Sequence, residues 1–193
     1  MMVMGILCLF SSLSQATDVK HIEKFDIHEF CNQGRRGVFF GDTGYFINVP
    51  EGYTLFPDFV DEDKKDERVV FMPCTLSQEL AEQAIGGQFS EEIYKTMGVI
   101  ILEVSSDLEG LGGSKFNIED FKKIIANLLQ SRGEIFEIKN LSLPLPSFEI
   151  EITQPVPLKQ VILKGENVIY QFTADLNNEM LNSLVQSLRP PEN

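Results

Sequence analysis

The C-terminal stretch constrains this chain most, because two strand-like runs lead directly into one sharply amphipathic segment. Leu176, Met180, Leu181, Leu184, Val185 and Leu188 recur at the spacing that paints a single helical stripe. Asp175 stands where a capping residue would start the helix, and Arg189 with Pro190-Pro191 would end it. Upstream, Val161 to Leu163 and Val168 to Phe172 flank Gly165-Glu166-Asn167, the pattern of a hairpin with one apolar face. The stripe can cover that face, so the pattern predicts an α+β domain.

The 193 residues are 43% hydrophobic, enough for one domain with a real core. The net charge of -13 argues against nucleic acid and anionic membrane surfaces, since phosphate recognition needs clustered Lys and Arg. A protein partner with a basic patch suits that charge better.

Residues 1–16 read as a signal peptide. They carry no charge, run apolar from Met1 to Phe10, and end with small residues at Ser14 and Ala16. The expected mature chain starts at Thr17 and is exported, to a periplasm or the extracellular space. The apolar run falls well short of the roughly 20 residues that span a bilayer, so no transmembrane anchor is expected. Cleavage removes Cys8 and leaves Cys31 and Cys74. In an oxidising compartment that pair is a disulfide candidate; two buried thiols are the alternative.

Residues 17–33 form an N-terminal arm of mixed pattern, readable as a short strand or a frayed segment. The single domain, residues 34–193, opens with Val38-Phe39-Phe40 and Tyr45 to Val49 on either side of Gly41-Asp42-Thr43-Gly44, a hairpin. Tyr53 to Val60 and Val69 to Met72 predict a second hairpin, with Asp61 to Arg68 as its solvated tip. Thr75 to Met97 has helical spacing split by Gly86-Gly87, and Val99 to Val104 reads as a central strand. After a glycine-rich loop, Asn117 opens a helix striped by Ile118, Phe121, Ile125, Leu128 and Leu129 and ended by Gly133. Strands at Glu134 to Leu141 and Phe148 to Thr153 follow. The expected architecture is an antiparallel sheet of about six strands flanked by helices.

Catalytic chemistry is thinly represented. The only histidines are His21 and His28, and nucleophilic catalysis of the serine or cysteine type needs one as proton carrier. Their spacing is not that of a zinc site, and no metal or cofactor is expected. Gly110 to Lys115 lacks the frame of a phosphate-binding loop, and Asp61 to Glu67 lacks the glycine of a calcium loop and includes Lys64 and Lys65.

The order of these segments resembles the PsbP-like α/β/α sandwich superfamily, which also includes a Ran-binding import factor. The likeness covers roughly Gly44 to Arg189, through Pro50-Glu51-Gly52-Tyr53, an interrupted hairpin, a strand, a helix, a meander and a terminal helix ending Gln186-Ser187-Leu188-Arg189. Phe46 to Tyr53 is similar to the family's opening strand and Pro-x-Gly-aromatic turn, with Tyr53 where Trp is common. The resemblance implies an assembly or binding module without a catalytic centre. The expected function is therefore an exported, non-enzymatic interaction module; the alternative is a periplasmic carrier of a small apolar ligand, for which fifteen phenylalanines supply material. The expected working surface lies on loops without packing duties: Asp61, Glu62, Asp63, Asp66 and Glu67 at the acidic tip, and Gly112, Gly113 and Lys115 in the glycine loop.

Overall fold

The computed structural model describes residues 26–33, 37–58, 66–85, 98–105 and 116–190. In chain order these form α1 (Ile27–Gln33), β1 (Gly37–Phe40), β2 (Tyr45–Asn48), β3 (Tyr53–Asp58), β4 (Asp66–Pro73), α2 (Gln78–Ile85) and β5 (Ile100–Ser105). There follow α3 (Ile118–Ser131), β6 (Ile135–Asn140), β7 (Ser147–Gln154), β8 (Leu158–Lys164), β9 (Ile169–Asp175) and α4 (Glu179–Gln186). Among the described residues, seven strands make one antiparallel sheet in the order β3-β4-β5-β9-β8-β7-β6, and β1-β2 is a separate two-stranded sheet. The expectation of about six strands in one sheet is corrected accordingly. The class is α+β.

Side chains alternate across a strand, and the central strands bury both sets. On β8, Val161 and Leu163 enter one apolar cluster and Ile162 enters another. On β5, Ile100 and Leu102 point to the first cluster and Ile101 to a third. The first cluster is closed by α4, through Leu181, Leu184 and Val185, and by Phe40 and Ile47 of the β1-β2 hairpin. Phe40 stacks on Tyr170 with ring centroids 4.2 Å apart, and Phe172 lies 6.4 Å from both Phe40 and Phe71. The opposite face is covered at two places, by Ile27 of α1 and Ala81 of α2 over β3-β4-β5 and by Phe121, Ile125 and Leu129 of α3 over β7-β8.

Three local expectations change. Ile27–Gln33, within the arm read as strand or frayed segment, is a helix: the Asp26 carboxylate accepts from the His28 N–H at 2.8 Å and caps it. The terminal helix starts at Glu179, because the backbone ladder extends β9 to Asp175, opposite Leu158. Asn178 caps it instead, its Oδ1 accepting from the Leu181 N–H at 3.1 Å, while Asp175 accepts from the Asn177 N–H at 2.9 Å and closes the preceding turn. Asp66 and Glu67, expected in the solvated tip, are already strand residues, opposite Ser105 and Val104 of β5. The other helix reads as expected: Asn117 Oδ1 accepts from the Glu119 N–H at 2.9 Å, and Gly133 takes a φ of 70° just past its end.

Candidate functional site

The β1-β2 hairpin has one inward and one outward face. Its register sets Val38 opposite Ile47 and Phe40 opposite Tyr45, and these pack into the core. The alternate pair, Phe39 and Phe46, points the other way. Phe39 is 64% exposed. The Arg189 guanidinium lies 4.9 Å from the centre of the Phe46 ring, a cation-π contact. A Cβ on Gly37 would collide with the Phe46 ring and the Ile47 carbonyl, so glycine is what lets that ring lie across β1.

This face is held from both ends. Past α4, the chain returns as an isolated bridge: the Phe46 N–H donates to the Arg189 carbonyl at 3.0 Å, and the Arg189 N–H donates back at 2.9 Å. The Asn48 N–H donates to Ser187 Oγ at 3.0 Å, and Arg189 Nη2 donates to Asn48 Oδ1 at 3.3 Å. At the hairpin turn, the Asp42 carboxylate accepts from the Tyr170 hydroxyl and from the backbone N–H groups of Glu166 at 2.8 Å and Asn167 at 3.3 Å. The result is an aromatic and arginine surface on a fixed scaffold.

A second polar feature crosses β6, β7 and β8. Lys159 is buried, with its ammonium 3.2 Å from Glu151 and 3.7 Å from Glu149, which is also buried. Lys139 lies 2.7 Å from Glu151 and 3.4 Å from Glu137, both contacts nearer solvent. Hydrogen bonds from Lys139 and then Lys159 hold the Glu151 carboxyl below the ordinary carboxylate range. The bond to Glu151 correspondingly raises the Lys139 ammonium. Glu151 and Lys139 thus favour each other's charged form, and the contacts tie β6, β7 and β8 together. Elsewhere, burial raises the Glu134 carboxyl and the Tyr53 phenol, whose hydroxyl donates to the Gly98 carbonyl at 2.9 Å.

Of the residues expected to form the working surface, Asp66 and Glu67 are the two among the described residues. Asp61, Glu62, Asp63, Gly112, Gly113 and Lys115 lie outside the described residues, as do the leader and His21. Asp66 and Glu67 belong to the β4 ladder. Cys31 and Cys74 are joined as a disulfide with Cα atoms 5.9 Å apart, tying α1 to the end of β4. His28 is exposed on α1. Among the described residues no group of three or more His, Cys, Asp and Glu side chains is placed to hold a metal ion, and no helix is long and apolar enough to cross a membrane.

Sequence reasoning passed over the hairpin's outer face because Val38-Phe39-Phe40 reads as one core run, and Arg189 reads only as a helix stop. The usable signal was alternation: if Val38 and Phe40 are inside, Phe39 is outside. Equal parity of Glu137, Lys139, Glu149, Glu151 and Lys159 would likewise have flagged the ionic network once the strand register was known. Comparison with family models, curated proteins and solved structures finds no match to this chain.

Proposed function

We propose that this chain is an exported, non-enzymatic module that binds another protein, and that the outward face of β1-β2 is its main contact. The observation that carries the proposal is Phe39, 64% exposed beside the Arg189–Phe46 stack on a hairpin tied down at its turn and at β2. Exposed aromatic rings and arginine are the side chains that most often anchor protein interfaces. A surface that is already ordered loses little conformational freedom on binding, which favours recognition. The net charge of -13 suits a partner with a basic rim, attracted before contact is made. The same reading takes the sheet and its helices as a sandwich of the PsbP-like kind, whose members work as assembly or binding modules.

The test is a pull-down from native extract with wild type, Phe39→Ser and Arg189→Ala. Loss of one partner band in both variants, with melting unchanged for Phe39→Ser, supports the proposal. An unchanged partner profile removes the hairpin from consideration. An apolar small molecule retained by the wild-type chain in native mass spectrometry would turn the reading to the carrier.

A further inference from the structure

The seven-stranded sheet ends in two unlike edges. At one, β3 includes Pro57, which has no N–H to offer a further strand. At the other, β6 reads Ile135-Phe136-Glu137-Ile138-Lys139-Asn140, without proline, and no described strand pairs with its outer side. An open edge rich in β-forming residues is a template for another strand. Ile135 on this edge is 55% exposed.

The charges on β6 say which strand fits. Glu137 and Lys139 lie two residues apart, hence on one face of the sheet, with side chains 65% and 44% exposed. We propose that β6 pairs antiparallel with β6 of a second copy of this chain, about a twofold axis through Ile138, so that the two sheets join into one. In that register Glu137 of each copy stands opposite Lys139 of the other, and Ile135 comes beside Leu141. A slip that moves the axis to Glu137 sets carboxylate against carboxylate, and one that moves it to Lys139 sets ammonium against ammonium. Like charges directly opposite destabilise a strand pair. An axis between residues would oppose side chains from different faces and is excluded by the pleat. Of the registers centred on Glu137, Ile138 and Lys139, the charges favour the one at Ile138, and because they are self-complementary there the occupant is the chain itself. Lys139 keeps its 2.7 Å contact with Glu151 and its 3.4 Å contact with Glu137 of its own chain, since an ammonium has three N–H donors and can face a further carboxylate. Such an isologous interface is small, so association should depend on concentration.

Sedimentation equilibrium of the purified native chain over a wide concentration range tests this. Wild type should pass from monomer to dimer, and Glu137→Lys alone and Lys139→Glu alone should stay monomeric. An equimolar mixture of the two variants should dimerise again, because each lysine then meets a glutamate. Glu137→Gln removes the attraction without repulsion and should weaken the dimer less than Glu137→Lys, which keeps the test decisive even if Lys139→Glu melts early for want of its Glu151 contact. A wild type monomeric at every concentration overturns the proposal. So does a Glu137→Lys chain that dimerises like wild type, or a mixture of folded variants that stays monomeric.

Discussion

The Asp42 carboxylate and the Tyr170 hydroxyl, 128 residues apart in the chain, are hydrogen-bonded partners, and the same carboxylate accepts from the Glu166 N–H at 2.8 Å. One side chain thus fastens the β1-β2 turn to the β8-β9 turn. Gly165 is required beside it, since a Cβ there would strike the Asp42 carboxylate. Asp42→Ala strands several donors at once and should cost about 1–3 kcal/mol in denaturant unfolding. A double-mutant cycle with Tyr170→Phe should show coupling, because the two changes remove one shared contact. Strict additivity would mean that the clamp is not a unit.

The cap at Asn178 gives a second test. Its Oδ1 accepts from Leu181, and its Nδ2 donates to the Gly98 carbonyl at 3.1 Å. Asn178→Ala should lower stability by about 1–2 kcal/mol. Leu184, 1% exposed, is more demanding: Leu184→Asp buries a carboxylate in the core and should cost several kcal/mol. A melting temperature equal to wild type would make α4 a detachable arm.

Non-reducing peptide mapping should find Cys31 linked to Cys74 within one chain. The bond closes a loop with a sequence separation of 43, which the chain-entropy model values at about 4 kcal/mol. Replacing both cysteines by Ser should lower stability by up to that amount and raise hydrogen exchange first in α1, a seven-residue helix too short to persist undocked. Quantitative alkylation of both thiols in unreduced native protein would contradict the bond.

The ionic network predicts an acid limb in stability. Glu151 has its folded-state pKa depressed by Lys139 and Lys159. Its contribution is therefore present above the unfolded carboxyl pKa and is lost as pH falls through the lower, folded value. Thermal melts against pH should show that loss in wild type and a shallower acid limb in Glu151→Gln. Lys159→Met leaves Glu149 and Glu151 without their inner cation and should cost about 3–5 kcal/mol near neutrality, the usual consequence of breaking a buried pair.

If the acidic residues steer a basic partner, changing Asp61, Glu62 and Asp63 together to Ser should slow association at low salt. The difference should fade at physiological ionic strength, where the screening length is about 8 Å. Stopped-flow or surface-based association rates provide the measurement. Equal rates at low salt would remove these carboxylates from the encounter.

Much of the element order was legible in the chain because it depends on local period and punctuation. Asn117, the Ile118 to Leu129 stripe and Gly133 mark α3 in the sequence much as they bound it in space. Alternation and turn residues likewise announce β8 and β9. The misreadings fall where a long-range partner outweighs a local signal. Asp175 looks like a cap until Leu158 is seen opposite it in the ladder, and Asp66 and Glu67 look like a loop until β5 pairs with them. Neither partner is near in sequence, so no window centred on those residues contains the deciding contact. The placement of Phe39 outside, Phe46 under Arg189 and Lys159 between two glutamates was settled by strand register and by the return of the chain after α4. Sequence period fixes which residues share a face, but which face is buried, and what lies across from each residue, is decided by contacts with other segments, from the neighbouring strand for Lys159 to the chain returning after α4 for Phe46.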